Sequence, residues 1–211
     1  MHIETLALTT GLQAMSTTLQ TTETPAAGTP AAGARYTLTA QALHWVTGGL
    51  MFVVLPLAWV MVSMARDNPS RGLMFTLHKS VGLTILALVA ARLVWRRMNP
   101  APALRHTARW EAAAAKASHW LLYAVMVGMP VSGYLLSAGS GRPVSYFGLF
   151  TIPGLPKNET ADGIATWLHV ATGQWAVYAL ILLHLGATAW HIVVRRDGLL
   201  GRMLPAQSQD A

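Results

Sequence analysis

The sequence predicts an all-α membrane protein, a four-helix up-down bundle, and three observations lead to this. The 211-residue chain is 53% hydrophobic and 11% charged, with a mean hydropathy of +0.41. Soluble domains usually carry about 25% charged residues, so most of this surface must meet lipid. Four apolar stretches, near 42–65, 73–95, 117–138 and 164–194, each reach the roughly 20 residues that cross a bilayer as a helix.

The remaining segments predict a simple domain organisation. Residues 1–34 are rich in Thr, Ala, Gly and Pro and lack an apolar block with a basic leader, which is typical of a flexible N-terminal tail rather than a signal peptide. The four-helix domain occupies 35–205, and a short C-terminal tail follows at 206–211. Polar, Gly-rich and Pro-rich connections at 66–72, 96–116 and 139–163 separate the helices.

The positive charge of the chain indicates topology. A formal net charge of +7 would fit nucleic-acid binding in a soluble protein. Here ten basic residues lie on the side of the termini and the middle loop, against five on the other side. Cytoplasmic loops of membrane proteins hold the excess of Lys and Arg, so both termini are predicted in the cytoplasm, with no nucleic-acid partner.

The chain has no cysteine, which excludes disulfides, Cys-ligated metal centres, thiol catalysis and covalent haem attachment. Redox chemistry then depends on histidine, and five histidines fall within the apolar spans. They are His44, His78, His119, His169 and His184. Ionisable side chains inside a membrane are costly, and each is a functional hypothesis. His191, at the last turn of the fourth span, is expected outside the core.

The depths of these histidines sort them into two layers. His44 and His119 lie near the inner ends of their helices, whereas His78 and His169 lie near the outer ends. His184 follows His169 by 15 residues, about 22 Å along a helix and roughly 60° around it. Both therefore point to a similar face at opposite depths.

Two layers of paired imidazoles on facing helices are what two stacked bis-histidine haems require. A bare metal ion would want three or four close ligands, often with carboxylates, and the spans contain no Asp or Glu. Small residues beside the histidines, which are Gly48, Gly82, Gly173 and Gly186, would leave room for a porphyrin ring. We predict that His44 and His184 hold the inner haem iron, and that His78 and His169 hold the outer one.

Several stretches resemble the bacterial di-haem cytochrome b561 family, to which the superoxide oxidases belong. They are YTLTAQALHW from Tyr36, LHKSVG from Leu77, HWLLYAVMVGMPVSGY from His119, YFGL from Tyr146, TWLHVATG ending at Gly173, and LLHLGATAWH with the following RRDGLLGRMLP. The likeness covers about residues 36–205.

The resemblance implies four helices in a bacterial inner membrane, two non-covalent haem b groups and electron exchange with ubiquinone. It carries the ligand role onto the same four histidines. His119 has Tyr123 and not a glycine four residues further on, so we expect it beside the inner haem or on the quinone side and not as a ligand. In superoxide oxidases of this family, superoxide gives its electron at the outer haem and ubiquinone is reduced.

Basic side chains near the layers are predicted to contact haem propionates or an incoming anion. Lys79, Arg71 and Arg142 are placed for the outer haem and Arg92 for the inner one. The aromatic residues of the outer loop 139–163 either cap the outer haem or rest in the membrane interface.

The predicted function is therefore that of a membrane di-haem cytochrome that moves single electrons across the bilayer, from superoxide to ubiquinone. Two alternatives stay open. One is a cytochrome b subunit that links a partner dehydrogenase or hydrogenase to the quinone pool. The other is a haem-free membrane transporter or scaffold.

Overall fold

The computed structural model of the chain describes residues 35–102 and 108–205, and the predicted tails 1–34 and 206–211 lie outside this part. Three helices come first: α1 (Leu38–Ser63), α2 (Arg71–Met98) and α3 (Arg109–Ala138). A fourth helical run covers Glu159–Arg195, and all four are long and apolar enough to cross a membrane. The predicted all-α class and the four spans are confirmed.

The helices begin earlier than the apolar stretches that predicted them. The Thr37 side chain accepts a hydrogen bond from the Ala40 N–H (3.3 Å) and caps α1. Before α3 reaches its apolar part, the run of alanines between Glu111 and Lys116 extends the helix outward, because alanine has the highest helix propensity. Hydropathy therefore located the membrane-crossing part of each helix and not its full length.

The fourth span is not a regular α-helix. It consists of α4 (Glu159–Thr166), a π-helical turn (Trp167–Gly173), α5 (Gln174–Trp190) and a second π-helical turn (His191–Arg195). A π-helical turn is wider and rotates the chain by less than the about 100° per residue of an α-helix. This offsets part of the 60° rotation expected between His169 and His184, which helps both rings to face the bundle.

The core of the bundle is narrow and lies between α1, α2 and α3. Its buried members are Val54, Val81, Ile85, Val89 and Tyr123. Buried small polar residues accompany them, including Thr47, Ser132 and Ser137, as expected where membrane helices approach closely. Many large apolar side chains, including Phe52, Trp59 and Leu182, are exposed instead, which fits a surface in contact with lipid.

Two chain segments that are distant in the sequence are hydrogen-bonded to each other at one end of the bundle. The Tyr36 N–H donates to the Arg202 carbonyl (3.0 Å), and the Trp45 indole donates to the Met203 carbonyl (2.7 Å). These bonds join the start of α1 to the 3₁₀ turn Leu200–Met203. The beginning and the end of the described chain thus meet at one end of the bundle.

A short β-hairpin interrupts the outer loop, which the sequence did not predict. β1 (Val144–Tyr146) pairs antiparallel with β2 (Phe150–Ile152), with Tyr146 opposite Phe150. Phe147 and Gly148 both have positive φ (47° and 75°), and the Leu149 N–H donates to the Tyr146 carbonyl (2.9 Å). Two successive positive φ values give a hairpin turn whose twist matches its strands.

Candidate functional site

The structure brings the membrane histidines together in two groups, at the two depths that the sequence indicates. In the outer group the ring centroids of His78 and His169 lie 6.1 Å apart. In the inner group those of His44 and His184 are also 6.1 Å apart. Two imidazoles that share one metal, each through a nitrogen about 2 Å away, have centroids about 6 Å apart. Both pairs therefore have the spacing of two axial ligands.

The outer imidazoles are held by backbone carbonyls of the neighbouring helices. His78 Nδ1 lies 3.2 Å from the Val54 carbonyl oxygen of α1, and His169 Nδ1 lies 2.8 Å from that of Met129 in α3. Because a carbonyl can only accept, each Nδ1 carries the proton. Each Nε2 is left with a free lone pair, as in metal-ligating histidines whose other nitrogen donates to a carbonyl.

Gly133 determines how closely α3 approaches His169. A Cβ atom at position 133 would lie 2.7 Å from His169 Cε1, whereas a Cβ atom at Gly128, on the same helix, would meet nothing within 4 Å. The role of Gly133 was not predicted from the sequence. An isolated glycine inside a helical pattern was the available signal, because such a residue usually has a packing reason.

The glycines that were expected to leave room for a ring behave differently from one another. At Gly48, Gly82 and Gly186 a Cβ atom would meet nothing within 4 Å, which agrees with open space beside His44, His78 and His184. At Gly173 the expectation was wrong. There a Cβ atom would collide with the Leu168 carbonyl and the Met129 sulfur, so this glycine permits tight packing of the π-helical turn.

A cavity of about 700 Å³ opens beside the outer pair. Both outer histidines line it, together with four basic residues and no acidic one: Arg66, Arg71, Lys79 and Arg142. Three of these were predicted for the outer haem, and Arg66 was not. The volume lies in the range of roughly 300–1,000 Å³ that is usual for ligand and cofactor sites.

The basic residues around this cavity retain hydrogen-bond donors for a ligand. Lys79 Nζ donates to the Ser137 hydroxyl (2.8 Å), and the Arg71 guanidinium lies over the Phe75 ring, 4.8 Å from its centroid. The Arg71 Nε is buried and has no hydrogen-bond partner in the described part of the chain. A buried donor of this kind is costly unless an acceptor reaches it. Free imidazole nitrogens and positive donors around one cavity fit a metalloporphyrin with its carboxylates.

The inner group holds a third imidazole and an arginine. Arg92 donates to His44 Nδ1 (2.9 Å) and lies over the Tyr123 ring (5.6 Å). The His119 centroid is 5.6 Å from that of His184, and His119 Nδ1 donates to the Ala115 carbonyl of its own helix (2.6 Å). Arg92 and His119 thus both lie beside the predicted inner ligands.

His191 belongs to neither group, as expected. Its Nδ1 lies 2.5 Å from Asp197 Oδ2, just beyond the end of the fourth span. Burial acts to raise the pKa of Asp197, but hydrogen bonds from His191 and from the Leu199 N–H outweigh it and leave the pKa below its usual value. This pair lies at the end of the fourth span, apart from the two histidine groups.

Comparison with known proteins agrees with this arrangement. Residues 35–206 match the family model of prokaryotic cytochrome b561. Cytochrome b561 homolog 2 of Escherichia coli (strain K12) is 29% identical over 182 residues, which covers 83% of this chain and 94% of the relative. Cytochrome b561 homolog 1 of the same organism is 28% identical over 176 residues, covering 81% and 97%.

A third relative, a probable superoxide oxidase CybB of Yersinia pestis, is 25% identical over 167 residues, which covers 77% of this chain and 92% of the relative. The family match spans all four membrane helices and both histidine groups. The chain belongs to the prokaryotic cytochrome b561 family and is a multi-pass membrane protein that binds haem b and transfers electrons.

Proposed function

We propose that this cytochrome binds two haems, oxidises superoxide at its outer side and reduces ubiquinone. The observation that supports this most is the presence of two imidazole pairs at two depths, each with centroids 6.1 Å apart. The net reaction takes two superoxide ions, one ubiquinone and two protons to two dioxygen molecules and one ubiquinol. Charge and electrons balance without a further reductant.

Four histidines hold the two haems in this proposal: His44 and His184 at the inner level, His78 and His169 at the outer level. Held by these histidines, haem b would supply a one-electron couple and would favour electron transfer over oxygen binding. The Val54 and Met129 carbonyls fix the proton on Nδ1 of the outer histidines. The chain thereby leaves an Nε2 lone pair free on each of two rings whose centroids lie 6.1 Å apart.

The basic residues at the outer cavity give this site its preference for anions. Arg66, Arg71, Lys79 and Arg142 line the cavity without an acidic residue among them. A positive surface attracts superoxide and raises its encounter rate, and the same donors bind carboxylates of the cofactor. We place this cavity on the outer side, with both termini in the cytoplasm, because the excess of Lys and Arg lies at the opposite end.

At the inner level we place His119 beside the inner haem or on the quinone side. Its Nδ1 is fixed by the Ala115 carbonyl, which leaves Nε2 as an acceptor beside His184. Arg92 donates to His44 Nδ1 in the structure, which puts the proton of a neutral ring on Nε2. His44 can therefore bind iron through Nε2 only after Arg92 releases Nδ1 and turns to a cofactor carboxylate or to the quinone. His119 and Arg92 both stand where they can stabilise negative charge on a reduced quinone or on a cofactor carboxylate.

The choice of superoxide as the donor has one further support. One relative, at 25% identity, is named a probable superoxide oxidase. The alternative is a subunit that passes electrons between quinone and a partner dehydrogenase, and this would need a second protein. The two proposals differ in whether the purified chain works alone.

Purified protein in detergent should reduce ubiquinone when superoxide is supplied, with no partner protein present. Haem reduction by a superoxide pulse and ubiquinol formation are both measured. A protein that superoxide fails to reduce, while a partner dehydrogenase reduces it, would establish the alternative.

Charge steering predicts how this rate depends on salt. The double variant Lys79→Gln, Arg142→Gln should lose more of the superoxide rate at low salt than at high salt, because exposed charges are screened. Haem content is measured in parallel to exclude cofactor loss. An equal loss at both salt concentrations would contradict steering.

Removal of individual histidines should separate ligands from neighbours. His44→Ala should lose about half of the haem, because one iron loses an axial ligand, whereas His119→Ala should retain nearly all of it. Haem per chain is measured as pyridine haemochrome. If His119→Ala lost as much haem as His44→Ala, the pairing of His44 with His184 would be wrong.

Gly133 offers a test that leaves every histidine in place. Gly133→Ala should displace the His169 ring and lose about half of the haem, since the added Cβ has no room beside it. Gly128→Ala is the matched control on the same helix and should keep its full haem content. Full haem binding by Gly133→Ala would show that His169 does not need this close contact.

A further inference from the structure

The β-hairpin of the outer loop is attached to the middle of a membrane helix and not to its end. The Phe147 N–H donates to the hydroxyl of Ser80 (2.8 Å), a fully buried residue of α2. The Tyr146 hydroxyl lies 3.0 Å from the Thr84 hydroxyl, one turn further along α2. Val144 is 1% exposed, so one side of the hairpin is packed against the bundle.

The positions of Ser80 and Thr84 give the depth of the hairpin. α2 has 28 residues and is about 42 Å long, whereas the hydrocarbon layer is about 30 Å thick. Ser80 and Thr84 lie about 14 Å and about 20 Å from the outer end of this helix. With the layer centred on α2, Ser80 is several ångströms inside the hydrocarbon and Thr84 is close to the middle of the membrane.

We propose that the segment 144–152 is a re-entrant hairpin whose outer face contacts the acyl chains of the bilayer. The side chains on that face are large and apolar, since Leu149 is 78% exposed, Phe150 56% and Phe147 42%. In contact with water at the outer surface, such a cluster would be unfavourable. At the depth of Ser80 the same cluster meets the solvent that it prefers.

Polar backbone atoms of the hairpin have hydrogen-bond partners within the protein. Non-helical backbone is tolerated at membrane depth only where it is buried in protein or lines a water-filled cavity, because its polar atoms need partners. The strand pairing, the bond from the Leu149 N–H to the Tyr146 carbonyl and the bond from Phe147 to Ser80 supply such partners. Phe147 adopts a positive φ of 47°, a conformation unfavourable for a bulky residue, and the Ser80 bond holds it there.

The turn of the hairpin is bonded to the flank of α2 that faces away from the outer histidines. Ser80 follows His78 by two residues, which places the two side chains on nearly opposite sides of the helix. Val144, at the start of the hairpin, lines the outer cavity together with His78 and His169, so the hairpin reaches the cavity through its first strand and not through its turn. On the side of α2 opposite His78, the hairpin and the surrounding lipid exclude water at the depth of this histidine.

Spin labels on single cysteines would locate the hairpin, and the chain has no native cysteine to interfere. The haem-loaded variants Leu149→Cys and Phe150→Cys are labelled in vesicles of phosphatidylethanolamine and phosphatidylglycerol. Collision with oxygen, which dissolves in hydrocarbon, is compared with collision with a water-soluble nickel chelate. Leu182→Cys, a 70% exposed position of α5, is the lipid control, and Lys157→Cys is the aqueous control.

The proposal predicts that labels at 149 and 150 resemble the label at 182, with several-fold lower nickel accessibility than at 157. Labels that behave like the one at 157 would place the hairpin in water and overturn the proposal. Labels shielded from both oxygen and nickel would overturn it as well, because protein and not lipid would then cover the face. An unchanged Soret band shows that each variant is folded.

Discussion

An imidazole inside a hydrocarbon layer needs a partner for each of its two nitrogens, and this constraint governs the structure. Water is absent, so an unmatched nitrogen costs the full desolvation of a polar group. At the outer level, carbonyls of Val54 and Met129 take the Nδ1 protons, and both His78 and His169 line one cavity. In the proposed function, haem iron is the partner of both remaining nitrogens.

The spans and the depths of the histidines could be predicted from the sequence because both depend on local properties. Apolar length identifies a membrane helix, and the rise of about 1.5 Å per residue converts a position into a depth. The alternation of four helices then places His44, His119 and His184 at one level and His78 and His169 at the other. In the structure, the ring centroids of His44 and His184, and those of His78 and His169, lie 6.1 Å apart.

The features that the sequence did not reveal depend on contacts between residues that lie far apart in the chain. Gly133 matters because His169 of the fourth span lies against it, and Ser80 matters because Phe147, 67 residues away in the chain, donates to it. The π-helical turn at 167–173 has no composition signal of its own. Gly173 follows its histidine by four residues, as Gly48 and Gly82 do. It serves packing nevertheless, because the Leu168 carbonyl and the Met129 sulfur lie against it.

The two levels are built differently, which suits an entry and an exit for electrons. The outer level opens into a cavity with four basic residues, and the inner level has a third imidazole and one arginine. The most direct test of the whole account is the low-temperature EPR spectrum of the purified cytochrome, recorded together with its haem content. Two haems b per chain, both low-spin with bis-imidazole g values, are expected. A single haem, or a high-spin iron with an open axial position, would contradict the pairing of imidazoles at two levels.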